Sequence, residues 1–272
     1  MDVVERGIWT FVTEQLRKFE PGKCSSEIKD NFEHRINPAS INLTTLEFLK
    51  EYIDDNEVSS ILEFGSGVST EFWSEQLSQA HVISYENSRR YRKITASRVN
   101  KKADNIHVRF GPLRIMKLFG RRYISYKTGS FLRKNAPKSF DLVLIDGPPG
   151  FLYSREATLL QAIDFISEST QIILDDAERD IEKATIARWS EMFDMHDLRF
   201  HKMGKKEIAT FRISPTPKLA KMPESPNHKL GKSIRLFLTF HRQNIMHNLW
   251  LLKMRLLNKE PFPDQKMNED EL

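Results

Sequence analysis

The chain contains a single cysteine, Cys24, and no long apolar run. One cysteine excludes an intramolecular disulfide and suits a reducing compartment. Without a run of about 18 apolar residues, no transmembrane helix is predicted. The first residues, Met1 to Arg6, carry acids and no continuous apolar core, unlike a secretory signal. We therefore expect a cytoplasmic protein, either free or at the periphery of a membrane.

Acidic residues are missing from two long stretches of the chain. Arg114 to Lys138 holds eight lysines and arginines without an acid, and Lys229 to Arg255 holds six. Nucleic acid, anionic glycans, acidic lipid or plain solvated surface would each explain such stretches. No recognised nucleic-acid motif accompanies them, so a specific nucleic-acid partner is not expected.

The most informative segment combines an apolar run, a glycine turn and the start of a helix. The run from Val58 to Leu62 predicts a buried strand, and it ends at Glu63. The turn Gly65-Ser66-Gly67 follows, and then Ser69 and Thr70 open the predicted helix. In doubly wound sheets this order brings bare backbone close to a nucleotide-like ligand, because glycine fits where a side chain would strike it.

Three later predicted strands also end in acids. Glu86 follows the second strand, 19 residues after Gly67. At that spacing a carboxylate can accept hydrogen bonds from both hydroxyls of a ribose. Asp146 ends a further strand before a Gly-Pro-Pro-Gly turn, and the pair Asp175 and Asp176 ends the next one. Parallel strands end at the same edge of a sheet, which is where α/β sheets bind ligands.

The alternation of strands and helices predicts an α/β fold with a doubly wound, mostly parallel sheet and an antiparallel hairpin at its C-terminal edge. We place this domain at residues 44–214, after an N-terminal helical extension at 1–43. Four prolines predict a linker over 215–228. A basic amphipathic helix and an acidic tail at 229–272 complete the chain.

The order of these motifs, E-F-G-S-G, then Glu86, then L-I-D-G-P-P and L-D-D, resembles that of class I S-adenosylmethionine-dependent methyltransferases, which have a Rossmann-like fold. The resemblance implies S-adenosylmethionine as the methyl donor, with Glu86 at its ribose. The acid that usually contacts adenine after the third strand is missing, which leaves backbone groups of Gly111 and Pro112 as candidates. The predicted cofactor-binding residues are Glu63, Gly65, Ser66, Gly67, Ser69, Thr70, Glu86 and Asp146.

Asp146, Asp175 and Asp176 are expected to meet in space, where three carboxylates repel unless one is protonated or a cation lies among them. Oxygen ligands of this kind suit Mg²⁺, which lowers the pKa of a bound hydroxyl. The set is similar to that of the magnesium-dependent O-methyltransferases of the catechol and macrocin type. The resemblance implies that all three aspartates bind the metal and that Asp146 and Asp175 are catalytic.

Two departures leave the chemistry of this site open. Arg155 and Arg179 follow the acids closely in sequence, and ion pairs with them would remove the need for a metal. The catechol type has a lysine three residues after its first acid, whereas this chain has Pro149, so the general base is not identified.

The leading interpretation is O-methylation of a sugar or another hydroxylated small molecule, with an anionic acceptor if the 114–138 stretch borders the site. The alternative is a non-catalytic protein with a methyltransferase fold, docking a membrane or a protein partner through its basic C-terminal helix. Ser69 and Thr70, in place of a later glycine, disfavour an NAD-dependent enzyme. The helix at 230–257 has an apolar stripe, which we expect to pack on the domain, form a homo-oligomer or lie on a membrane surface.

Overall fold

The computed structural model describes residues 25–36, 40–100, 102–149, 152, 155–224, 231–239 and 242. The predicted N-terminal helix and most of the predicted C-terminal helix and tail lie outside these residues. The chain divides into two compact units, Met1–Asn227 and His228–Leu272. In the second unit, residues 231–239 are helical. Among the described residues, no helix is both long enough and apolar enough to cross a lipid bilayer.

The first unit alternates helices and strands along the chain. Its α-helices are α1 (Ser26–Phe32), α2 (Leu43–Asp55), α3 (Val68–Gln76), α4 (Arg89–Arg98), α5 (Gly129–Asn135), α6 (Arg155–Ala162) and α7 (Asp180–Met192). Short 3₁₀ turns follow α1 at Glu33–Arg35 and α6 at Ile163–Phe165. The strands are β1 (Ser60–Phe64), β2 (His81–Glu86), β3 (Ile106–Phe110), β4 (Leu113–Leu118), β5 (Arg121–Tyr126), β6 (Leu142–Ile145), β7 (Gln171–Leu174), β8 (Met195–Met203) and β9 (Lys206–Ile213).

The main sheet has seven strands in the order β3-β2-β1-β6-β7-β9-β8. The first five are parallel, and β9 pairs antiparallel with both β7 and β8. The predicted α/β fold with its antiparallel edge hairpin is therefore confirmed. Strands β1, β6 and β7 are buried at every residue, as expected for central strands covered on both faces.

The register aligns the carboxyl ends of the central strands. Phe64 of β1 pairs with Tyr85 of β2 and with Ile145 of β6, and Ile145 pairs with Leu174 of β7. The residues immediately after these positions are thus level along one edge of the sheet. This edge is where the glycine turn and the acids leave their strands.

The basic stretch after β3 forms a hairpin that the sequence pattern did not predict. Strands β4 and β5 pair as a separate antiparallel hairpin, and helix α5 follows. Tyr123 and Tyr126 of β5 are buried in the core on one face of the main sheet. Arg114, Lys117 and Arg122 are exposed on this hairpin, whereas Arg121 lies 3.4 Å from the buried carboxylate of Glu156.

The described part of the proline-rich segment after Ser214 packs against earlier elements of the first unit. The backbone N–H of Lys218 donates to Met192 O at 2.8 Å, and that of Met222 donates to Phe119 O at 2.9 Å. The side chain of Met222 is buried in the same core cluster as Tyr123. Packed structure therefore extends into the stretch that was predicted to be a linker.

Candidate functional site

The glycine turn after β1 is held close to the turn after β6. Gly65 has φ +103°, and a Cβ atom added to it would lie 3.0 Å from both Asp146 C and Gly147 N. Conformation and space both require glycine there. Gly67, the N-cap of α3, has an extended φ of −179°, and an added Cβ would meet nothing within 4 Å. The turn therefore packs tightly against the protein at Gly65 and has free space beside Gly67.

Glu63 supports this turn from inside the protein. Its carboxylate is fully buried and accepts hydrogen bonds from the hydroxyls of Thr70 and Ser84 and from Trp73 Nε1. Burial raises the pKa of Glu63, while these donors and Ser69 act in the opposite direction. Because the carboxylate is fully buried among these donors, Glu63 lies beneath the turn and not on its open side.

The start of α3 is also held internally. The backbone N–H of Gly67 donates to Thr70 Oγ1 at 3.1 Å, and the same hydroxyl donates to Glu63. Ser69 and Thr70 are buried. The hydroxyl of Ser66 differs, because it is buried without a hydrogen-bond partner among the described residues. Of the side chains predicted to bind the cofactor near this turn, Ser66 is the one with an unused hydrogen-bonding group.

Glu86 ends β2 beside the turn. Its side chain accepts a hydrogen bond from the backbone N–H of Ser88 at 2.6 Å. Burial raises the pKa of Glu86 to about 7, although backbone N–H groups of Ser88, Asn87 and Ser66 favour the charged form. The carboxylate is therefore poised between its two protonation states near neutral pH.

Tyr126 is a site residue that the sequence did not indicate. It comes from the hairpin, is 1% exposed, and lies between the ends of β3 and β6. A Cβ added to Gly111 would lie 3.0 Å from Tyr126 Cδ1, and one added to Gly147 would lie 2.1 Å from its Oη. Burial and the charges of Glu86 and Asp146 raise the pKa of Tyr126 well above its ordinary value. Tyr126 thus packs against the turns that follow β3 and β6.

The three predicted metal-binding aspartates do come together. Asp146, Asp175 and Asp176 each offer an oxygen within 4.8 Å of the other two. Asp176 adopts φ +58°, a left-handed conformation that aspartate tolerates better than most residues. Of the three, Asp146 has the most exposed side chain, at 15%. Asp146 therefore faces the open part of the site, while the other two lie behind it.

Arg155, the first residue of α6, lies among these acids. Its Nη2 is 3.2 Å from Asp146 Oδ1 and 2.9 Å from Asp176 Oδ2. Its Nη1 donates to the backbone carbonyl of Asp175 at 2.7 Å. Lys206 of β9 adds a second cation, with its Nζ 3.4 Å from Asp175 Oδ2 and 3.2 Å from Asp176 Oδ1.

Arg179 and Glu182 complete the ionic network. Arg179 Nη1 lies 2.8 Å from Asp176 Oδ2, and Glu182 Oε1 lies 3.6 Å from Arg155 Nε. Burial raises the pKa of Asp176, but Arg155, Lys206 and Arg179 outweigh it, so the pKa is lowered. The pKa of Asp146 is raised well above its ordinary value by burial and then by the charge of Asp175. The carboxyl groups thus differ in their affinity for protons.

The three carboxylates favour the binding of a divalent metal, whereas the ion pairs around them disfavour it. Three carboxylates are suitable ligands for Mg²⁺. However, the guanidinium of Arg155 is already within 3.2 Å of two of them, and a buried guanidinium repels a second cation. The residues therefore do not fit a divalent metal while Arg155 keeps this position.

Comparisons with known proteins find similarity in fold. No protein-family model and no curated protein matches the chain. The O-methyltransferase from Bacillus cereus in complex with SAH is 18% identical, with a TM-score of 0.49 over 78% of this chain and 100% of that one. The SAH-bound methyltransferase PaMTH1 from Podospora anserina is 14% identical, with a TM-score of 0.47 over 79% and 97%. The O-methyltransferase TomG from Streptomyces achromogenes, in complex with SAM, is 14% identical, with a TM-score of 0.46 over 79% and 100%.

Proposed function

We propose that this protein is an S-adenosylmethionine-dependent methyltransferase that methylates a hydroxyl group of a sugar or another hydroxylated small molecule. The main support for the proposal is that the glycine turn, Glu86 and Asp146 lie side by side along one edge of the sheet. Such an edge offers backbone space, a ribose acceptor and a carboxylate for an incoming hydroxyl.

The residues at this edge fit the donor. The open side of Gly67 leaves room for its amino-acid part, and the unpartnered hydroxyl of Ser66 can hydrogen bond to it. Glu86 would accept from the ribose hydroxyls, and Tyr126 would wall the adenine side. When bound, S-adenosylmethionine supplies an electrophilic methyl group, so the protein mainly has to orient and deprotonate the acceptor.

Asp146 is the best candidate for the general base. It has the most exposed side chain of the three aspartates and faces the open part of the site, where an acceptor hydroxyl would enter. Asp175, the other predicted catalytic residue, is fully buried beside Lys206, so we assign it a positioning role. The Mg²⁺ assistance implied by the resemblance has the donor set in its favour and the guanidinium of Arg155 against it.

Glu86→Ala is expected to weaken binding of S-adenosylhomocysteine by about 1–3 kcal/mol, because charge-assisted hydrogen bonds to the ribose are lost. Isothermal titration calorimetry measures the change. Asp104→Ala, at an exposed acid, serves as the matched control and should leave the affinity unchanged. Equal affinity in wild type and Glu86→Ala would remove the donor assignment.

The affinity for S-adenosylhomocysteine should also fall as the pH is lowered, because Glu86 becomes protonated. Because its pKa is about 7 in the free protein, the carboxylate is charged above that pH and protonated below it. If the charged form accepts the ribose hydroxyls, binding at pH 6 should be about tenfold weaker than at pH 8. Titrations of Glu86→Ala should lose this dependence, and a flat wild-type profile would count against the charged acceptor.

Turnover tests the catalytic half of the proposal. Formation of S-adenosylhomocysteine from S-adenosylmethionine should be detected when sugars and other hydroxylated compounds, neutral and anionic, are supplied as acceptors. A rate enhancement by anionic acceptors would support a role for the basic 114–138 stretch. Tight donor binding without turnover on any acceptor would instead favour the non-catalytic alternative.

The helix at 231–239 offers a surface for a partner. Leu238 is 61% exposed there, in a segment whose predicted stripe continues toward residue 257. We propose that this stripe pairs with a second copy of the chain, with peripheral contact to anionic lipid as the competing outcome. Deleting residues 228–272 should reduce the number of chains per particle, measured by light scattering, from two to one. An unchanged number of chains together with lost sedimentation on anionic liposomes would favour the membrane.

A further inference from the structure

We infer that Arg155 is the resident cation of the aspartate cluster, and that the site works without a divalent metal as long as this side chain is present. The inference deepens the proposed function and rests on it for the catalytic part. It separates this chain from the catechol and macrocin type, which the pattern of three aspartates resembles.

The guanidinium is anchored to the backbone as well as to the acids. Nη1 donates to Asp175 O at 2.7 Å, Nη2 donates to Asp146 O at 2.9 Å, and Nε lies 3.4 Å from Pro148 O. These carbonyls belong to the turns that follow β6 and β7. The side chain of Arg155 is 5% exposed. Because its donors are engaged on both turns, the guanidinium cannot leave the cluster to make room for a metal without breaking several buried hydrogen bonds.

The charges around Arg155 lead to the same conclusion. When ionised, the carboxylates of Asp146, Asp175, Asp176 and Glu182 carry four negative charges, and Arg155, Lys206 and Arg179 carry three positive charges. The cluster is thus close to neutral before any ion is added. A divalent metal would give it a net positive charge in a buried place, which is unfavourable.

Removing Arg155 reverses this balance. Two positive charges would then face up to four negative ones. Asp146 Oδ1 would be released to bind an ion, while Asp176 Oδ2 would keep its contact with Arg179. Asp175 Oδ1 is buried and accepts no hydrogen bond from any described residue, so it is available as a further ligand. The same three aspartates should then form a divalent-metal site.

The test is a titration with Mn²⁺, followed by electron paramagnetic resonance, of wild type and Arg155→Met in metal-free buffer. The variant is expected to bind one Mn²⁺ at least about tenfold more tightly than wild type. Arg155→Met with Asp175→Asn should lose that site. Lys206→Met, which keeps every contact of Arg155, is the matched control for lost positive charge and should gain far less affinity. Circular dichroism checks that each variant is folded.

The wild-type protein decides the matter even if Arg155→Met does not fold. Its affinity for S-adenosylhomocysteine should be the same in excess EDTA and in Mg²⁺. One tightly bound Mn²⁺ in wild type that disappears in Asp175→Asn would overturn the inference. Failure to bind S-adenosylhomocysteine would instead defeat the proposed function, because the Mn²⁺ titration does not depend on the donor.

Discussion

Replacing Gly65 with valine is expected to abolish binding of S-adenosylmethionine and of S-adenosylhomocysteine. A Cβ at this position would lie 3.0 Å from backbone atoms of Asp146 and Gly147, which cannot move aside as the end of a flexible side chain would. Valine would also have to adopt φ +103°, which is unfavourable for a β-branched residue. Relief of both strains requires the turns after β1 and β6 to separate, and the proposed donor site lies between them.

Gly67→Ala is the matched control for this prediction, because a methyl group there meets nothing within 4 Å and φ is extended. This variant should keep the stability of the wild type, and any loss of donor affinity would come from the methyl group entering the ligand space. Calorimetry gives the affinities, and thermal unfolding shows whether Gly65→Val remains folded. Gly65→Ala introduces a smaller side chain at the same φ, so it distinguishes the effect of local strain on donor binding from loss of the fold. Donor binding by a folded Gly65→Val protein at wild-type affinity would refute the assignment.

The edge of the sheet was predictable because it depends on local patterns. An apolar run followed by glycine or by an acid identifies the end of a buried strand, and parallel strands align their ends. The alignment of Gly65, Glu86, Asp146 and Asp175 follows from these two facts. The fold class follows in the same way from strand–helix alternation, and its sheet has the predicted antiparallel edge.

The partners of these residues depend on contacts between distant parts of the chain, which a single sequence does not show. Tyr126 reaches the edge from the β4–β5 hairpin, which the sequence of the 114–138 stretch did not indicate. Lys206 reaches the aspartates because β9 pairs with β7, after a reversal of chain direction. Glu63 was predicted to bind the cofactor, and its contacts with Thr70, Ser84 and Trp73 could not be read from the sequence. Arg155 and Arg179 could be proposed as ion-pair partners, because both follow the acids closely in sequence.

Glu63→Ala is expected to lower the free energy of unfolding by about 3–5 kcal/mol, since it leaves buried donors of Thr70, Ser84 and Trp73 without an acceptor. Donor affinity should fall as well, by at least about tenfold. The reason is that Thr70 both donates to Glu63 and accepts from the backbone N–H of Gly67. Loss of the carboxylate frees the hydroxyl that fixes the open end of the glycine turn.

Ser84→Ala provides the matched comparison, because it removes one donor and leaves Glu63 with its bonds from Thr70 and Trp73. It should cost about 1 kcal/mol and leave donor affinity nearly unchanged. Urea denaturation measures the stabilities, and calorimetry measures the affinities. If Glu63 contacted the ligand directly, Glu63→Ala would lose donor affinity but keep its stability. The two measurements on one variant therefore decide whether this acid supports the turn or touches the ligand.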